Sequence, residues 1–77
     1  MIPYQDGTEM RVYDAVRIED GRTPGTIREL IQANADFKQW NVTEPGVMIK
    51  SAPFGLIFIP VSIFTDEPII FVARNET

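Results

Sequence analysis

Glycine and proline punctuate this chain at intervals that fit a small all-β domain better than a bundle of helices. Asp6-Gly7, Asp20-Gly21, Pro24-Gly25, Pro45-Gly46, Pro53-Phe54-Gly55, Pro60 and Pro68 are all turn or breaker signals. Short apolar segments between such signals read as the strands of a small all-β domain. Asp14–Glu19 carries the clearest alternation, with Val16 and Ile18 against Arg17 and Glu19, a period of two that suits a strand with one wet face. Met10 and Val12 continue the same parity backwards. Gly46–Ser51 (GVMIKS), Leu56–Ile59 (LIFI) and Ile69–Ala73 (IIFVA) are apolar runs of strand length. The expectation is a small antiparallel β-barrel or curled sheet of five strands, at about Met10–Glu19, Thr26–Ile31, Gly46–Ser51, Leu56–Pro60 and Ile69–Arg74. Its core would hold Val16, Ile18, Ile27, Val47, Ile49, Ile57, Ile59, Ile70 and Val72.

One segment supports two readings. Thr26 followed by Glu29 forms a capping-box signature, and Ile27, Leu30, Ile31 and Asn34 fall at helical spacing. The competing reading makes Thr26–Ile31 the return arm of a hairpin, with Ala33–Asn41 a loop containing one helical turn. The alternative architecture is therefore α+β, with a helix over 26–40 laid on a four-stranded sheet.

The 77 residues leave room for one domain, with less order expected over 1–9 and 75–77. A hydrophobic fraction of 44% argues against wholesale disorder. The chain has neither cysteine nor histidine. Disulfides, thiolate metal sites, the usual transition-metal ligands and the usual catalytic triads are thus excluded, and no cofactor or metal is expected. Nucleophile candidates reduce to Ser51, Ser62, five threonines, Lys38 and Lys50. Lys50 and Ser51 are adjacent, so a strand turns them to opposite faces. No enzymatic activity is expected. The most apolar stretch, Phe54–Phe64, is interrupted by Pro60 and is too short to span a membrane, which takes about 20 residues. The N-terminus lacks the basic and apolar regions of a secretory signal, and a cytoplasmic location is the expectation.

The formal net charge of −4 sets the electrostatic term against nucleic acid. Arg17, Arg22 and Arg28 are candidate contacts of a hairpin with phosphate or an acidic partner, although acidic residues are interspersed among them. Asp66-Glu67 and Glu19-Asp20 read as solvated turns. LIFI and IIFVA show no polar alternation, so part of the apolar C-terminal half is expected to form a homodimer or partner interface around Phe54, Phe58, Ile63 and Phe64. Trp40 is either an interface anchor or a lid over an open end of the fold.

The stretch VRIEDGRTPGTI (Val16–Ile27), with Ile18, Asp20, Gly21, Gly25 and Ile27 in place, resembles the KOW pattern of SH3-like barrels. Over most of its length the chain also resembles a group of short, uncharacterised bacterial proteins. The shared features are Asp6-Gly7-Thr8, Val12, Asp14 and Val16, then Trp40, Gly46-Val47-Met48-Ile49, Gly55-Leu56-Ile57, Asp66-Glu67 and Arg74. These resemblances imply a compact β module without a catalytic motif. Two functions follow as expectations: a protein-interaction module of the toxin-companion or immunity type, or an RNA- or ribosome-associated module.

Overall fold

The computed structural model describes residues 2–52 and 54–75. Five antiparallel strands form one sheet: β1 (Ala15–Ile18), β2 (Thr23–Ile31), β3 (Gly46–Ser51), β4 (Gly55–Pro60) and β5 (Ile70–Ala73). Their order is β4-β3-β2-β1-β5, so β1 to β4 run as a meander and β5 returns to pair with β1. The sheet does not close, and β4 and β5 are its edges. It is strongly curled: principal extents are 30 × 29 × 28 Å, and Ile18 of β1 lines the same hollow as Ile57 and Ile59 of β4 although two strands lie between them. The five-stranded expectation holds, as an unclosed sheet.

Local chemistry accounts for the strand ends. Asp20 (φ 57°) and Gly21 (φ 83°) are the central residues of the β1–β2 turn, closed by Arg22 N–H donating to Glu19 O at 3.2 Å. Positive φ at both positions matches the twist of the flanking strands, which is why Asp-Gly is favoured there. Within β2 the register against β3 shifts between Ile27 and Glu29, making Arg28 the extra residue of a bulge. Rows Leu30–Val47–Ile59 and Ile27–Ile49–Ile57 then face the core, while Glu29–Met48–Phe58 and Thr26–Lys50–Leu56 face the reverse side. Bulges also bend the strand that carries them, which helps the sheet curl.

Thr26–Ile31 is strand, as the hairpin reading has it, and the helical turn expected within Ala33–Asn41 is α1 (Asn34–Trp40), the one part of the alternative 26–40 helix that forms. Asp36 at its third position accepts from the Ala33 N–H at 3.2 Å, and Asn41 (φ 56°) closes it. Thr26 and Glu29, the expected capping pair, lie in the strand because β2 has β1 on one side and β3 on the other to satisfy its backbone.

The main core contains Ile2, Tyr4, Met10, Val16, Ile18, Ile27, Val47, Ile49, Ile59 and Ile69. Ile57 packs against it half-buried. Ile31 and Met48 are buried outside this cluster. Two expected core residues are exposed: Ile70 pairs with Arg17 on the reverse face, and Val72 falls where the β1–β5 register shifts. The expected first strand is cut short at its beginning. Tyr13 takes φ 76°, which breaks the period of two, so Met10 is buried while Val12 is exposed. Residues 2–9 fold back through a Pro3–Glu9 bridge and bring Ile2 and Tyr4 into the core. Among the described residues no helix is long and apolar enough to cross a membrane.

Candidate protein-docking surface

Two places on this scaffold concentrate polar chemistry, and they differ in access. The first is buried. The Asp14 carboxylate is fully inaccessible and accepts from Tyr4 Oη at 2.5 Å, from the Arg11 N–H at 3.1 Å, and from Arg74 Nε and a terminal guanidinium nitrogen at 3.0 and 3.1 Å. Arg74 also donates to Glu9 O at 2.9 Å and lies 5.5 Å from the centroid of the Phe71 ring, which Tyr4 meets edge-on at 5.3 Å. Burial pushes the Asp14 carboxyl up, but the hydrogen bonds from Arg74, Tyr4 and Arg11, with the Arg74 charge, outweigh it and hold the group below the usual carboxylate range. Burial, then the hydrogen bond to Asp14 and its charge, push the Tyr4 phenol far above its ordinary value. Every lone pair in use faces protein, so this cluster fastens the N-terminal segment and β5 to the start of β1.

The second place is open. Ile18, Ile57, Ile59 and Ile63 floor a hollow of about 270 Å³ at the margin of the main core, with Phe54 and Phe58 beside them and Glu19 and Glu67 at the rim. That volume lies at the small end for a pocket that encloses a ligand, and it suits inserted side chains better. Its parts come from three elements: the β1–β2 turn, the edge strand β4, and the connection that begins with the 3₁₀ turn Val61–Ile63. Ile18 and Ile59 are buried, and the open part of the floor is half-buried Ile57 and Ile63, beside the edge strand β4. Phe54 stands at 55% exposure although it is among the largest apolar side chains of the molecule. Glu19 and Glu67 also line an adjoining polar hollow together with Asp20, Asp66 and Arg22. Glu19 itself has φ 53°, and its Oε1 accepts from Thr23 Oγ1 at 2.6 Å, so the turn presents that carboxylate in a held position.

Of the expected interface residues, Phe54 and Ile63 line this hollow, and Phe58 borders it from β4 while its ring lies on the reverse face over Gly46. The other two lie elsewhere. Phe64 packs against the main core and lines a separate depression with Tyr4, Met10 and Ile69. Trp40 is half-buried near Arg28, Glu29, Lys50 and Leu56, around the reverse face. The three hairpin arginines do not converge: Arg17, Arg22 and Arg28 each line a different hollow. Arg17 also donates to Gly21 O at 3.4 Å. Lys50 is exposed while Ser51 is buried and donates to Pro24 O at 2.7 Å, as adjacent strand residues on opposite faces. The two carboxylate pairs, which read as separate solvated turns, meet around one depression. Neighbourhood across 47 residues of chain is not visible in local sequence.

Comparison with protein-family models, with curated proteins and with solved structures finds no match to this chain.

Proposed function

We propose that this chain is a non-catalytic protein-interaction module, of the kind that toxin-companion and immunity proteins represent, and that its partner docks at the hollow beside β4. The observation that carries the reading is the exposed Phe54 beside a hollow whose floor is buried at Ile18 and Ile59 and half-buried at Ile57 and Ile63. Apolar surface of this kind, rimmed by polar groups, is the usual mark of a docking site. Aromatic side chains also supply most binding energy at such interfaces. A second copy of the chain belongs to the same class of partner, with Phe54, Ile57 and Ile63 as the self-complementary patch.

The test compares capture of partner protein by the wild type and by Phe54→Ser, with Lys50→Gln on the reverse face as the control. Loss of the captured species with Phe54→Ser and retention with Lys50→Gln supports the reading. Equal capture by all three overturns it. Sedimentation of the same proteins identifies self-association, as a species of twice 8.7 kDa that Phe54→Ser abolishes.

One observation favours a second reading, an RNA-associated KOW-like module: half-buried Trp40 lines one hollow with Arg28 and Lys50, as well as Glu29, an aromatic ring in the company of two cations. Salt titration with a non-specific RNA tests it. Micromolar binding that falls steeply with salt and is lost in Arg28→Gln would favour this reading over the first.

A further inference from the structure

We infer that the segment docking at this hollow is cationic: an extended or helical stretch of polypeptide in which an apolar side chain fills the hollow and flanking lysines or arginines meet the acidic rim. This rests on the protein-interaction reading and specifies its partner. The argument begins with the distribution of charge. Four carboxylates, Glu19, Asp20, Asp66 and Glu67, surround the polar half of the depression, and Arg22 is the one cation that lines it. All four are exposed, and none has an ion-pair partner among the described residues. A chain of formal net charge −4 thus places much of its negative field at one spot.

Position adds a second argument. Glu19 and Glu67 line both the apolar and the polar hollow, so the carboxylates stand where the apolar floor ends. An occupant that covers the isoleucine floor must bring its next residues against those two groups. A neutral or acidic flank would meet like charge or strip carboxylates of water without compensation. A basic flank is drawn in before contact and paired after it. The Asp20-Gly21 turn and the Thr23 hydroxyl hold Glu19 in place before any partner arrives, which lowers the ordering cost of binding.

The experiment titrates isotope-labelled protein with three peptides of equal length at low and at physiological salt: alternating Leu-Lys, alternating Leu-Glu and alternating Ser-Lys. The Leu-Lys peptide is expected to shift the amide signals of Glu19, Phe58, Ile63 and Glu67, and to bind at least about tenfold more tightly than the other two. Neutralising Glu19→Gln together with Glu67→Gln is expected to weaken it by about three- to tenfold and to flatten its salt dependence. The Phe54→Ser variant separates the two claims. If Leu-Lys and Leu-Glu bind equally at the hollow and both are lost with Phe54→Ser, the docking surface stands and its cationic preference is wrong. If Ser-Lys binds as well as Leu-Lys, and signals shift equally at remote carboxylates such as Glu44, the attraction is diffuse and the proposal falls. If no peptide perturbs the hollow, the proposal and the docking surface fail together.

Discussion

The Arg74 guanidinium grips the Asp14 carboxylate through two nitrogens, at 3.0 and 3.1 Å, across 60 residues of chain. Asp14 is wholly buried, whereas the Arg74 side chain retains 26% exposure. Removing the arginine strands a charge that water cannot reach. Arg74→Ala is expected to destabilise the fold by about 2–4 kcal/mol, less than full isolation would cost because Tyr4 and the Arg11 N–H still donate. Urea unfolding checks this, with a lower midpoint at an unchanged slope as the expected result.

The same carboxylate sets the acid limit of stability. Its folded-state pKa lies below the unfolded value, so its contribution is complete above about pH 3.9 and is lost as pH falls through the lower folded-state value. Wild-type stability is expected to hold down to the ordinary carboxylate range and to decline below it. In Asp14→Asn, unfolding free energy measured against pH is expected to lose that acid limb and to be lower throughout the neutral range.

At the alkaline end the sign reverses. The Tyr4 phenol is held protonated above its ordinary value of 10.0, so its contribution is present below about pH 10 and is lost as pH rises towards the folded-state value. Ultraviolet titration of the folded protein is expected to find one phenol that ionises only with unfolding, and Tyr4→Phe is expected to remove it. That variant also takes a donor from Asp14, at a cost of about 1–3 kcal/mol.

Two glycines test the packing between strands. A Cβ on Gly46 would stand 2.5 Å from Ile59 O and 2.6 Å from the Phe58 ring, and one on Gly25 would stand 2.6 Å from Ile49 Cγ2. The Gly46 clash involves backbone, which has less freedom to move aside. Gly46→Ala is expected to cost about 2–3 kcal/mol and Gly25→Ala about 1–2 kcal/mol, read as shifts in the thermal midpoint.

β3 and β4 were legible in sequence because each is a run of apolar residues with a glycine at its start, and the meander satisfies such runs locally. The helix-like spacing of Ile27, Leu30 and Ile31 has a structural cause. The bulge at Arg28 puts Ile27 and Leu30, three positions apart, on the same face of the sheet, a spacing that an unbroken strand forbids. A single inserted residue thus imitates the helical period. The N-terminal segment was illegible for another reason: Tyr4 enters the core only because Asp14, ten residues away, receives its hydroxyl. In β5 the local pattern could not place the register shift at Val72, so Ile70 and Val72 read as core while Ile69 takes that place. At the hollow beside β4, Phe54, Phe58 and Ile63 were visible as surplus apolar side chains. Their acidic rim was not, since Glu67 comes beside Glu19 only when β5 returns to pair with β1, Ile70 against Arg17.

The order of the strands gives the chain a schedule. β1 to β4 pair each with its successor, so a ribosome releases them in the sequence in which they join. β5 does not extend that meander; it must travel back past β3 and β2 to reach β1, and Arg74 arrives only as it does so. At common synthesis rates Asp14 waits about 3–12 s for its counterion. For that interval β1 is an open edge, and a newborn chain exposes a pairing strand that the finished molecule conceals. Crowded nascent chains are therefore expected to associate through β1, and the fifth of these strands is the one that ends that hazard.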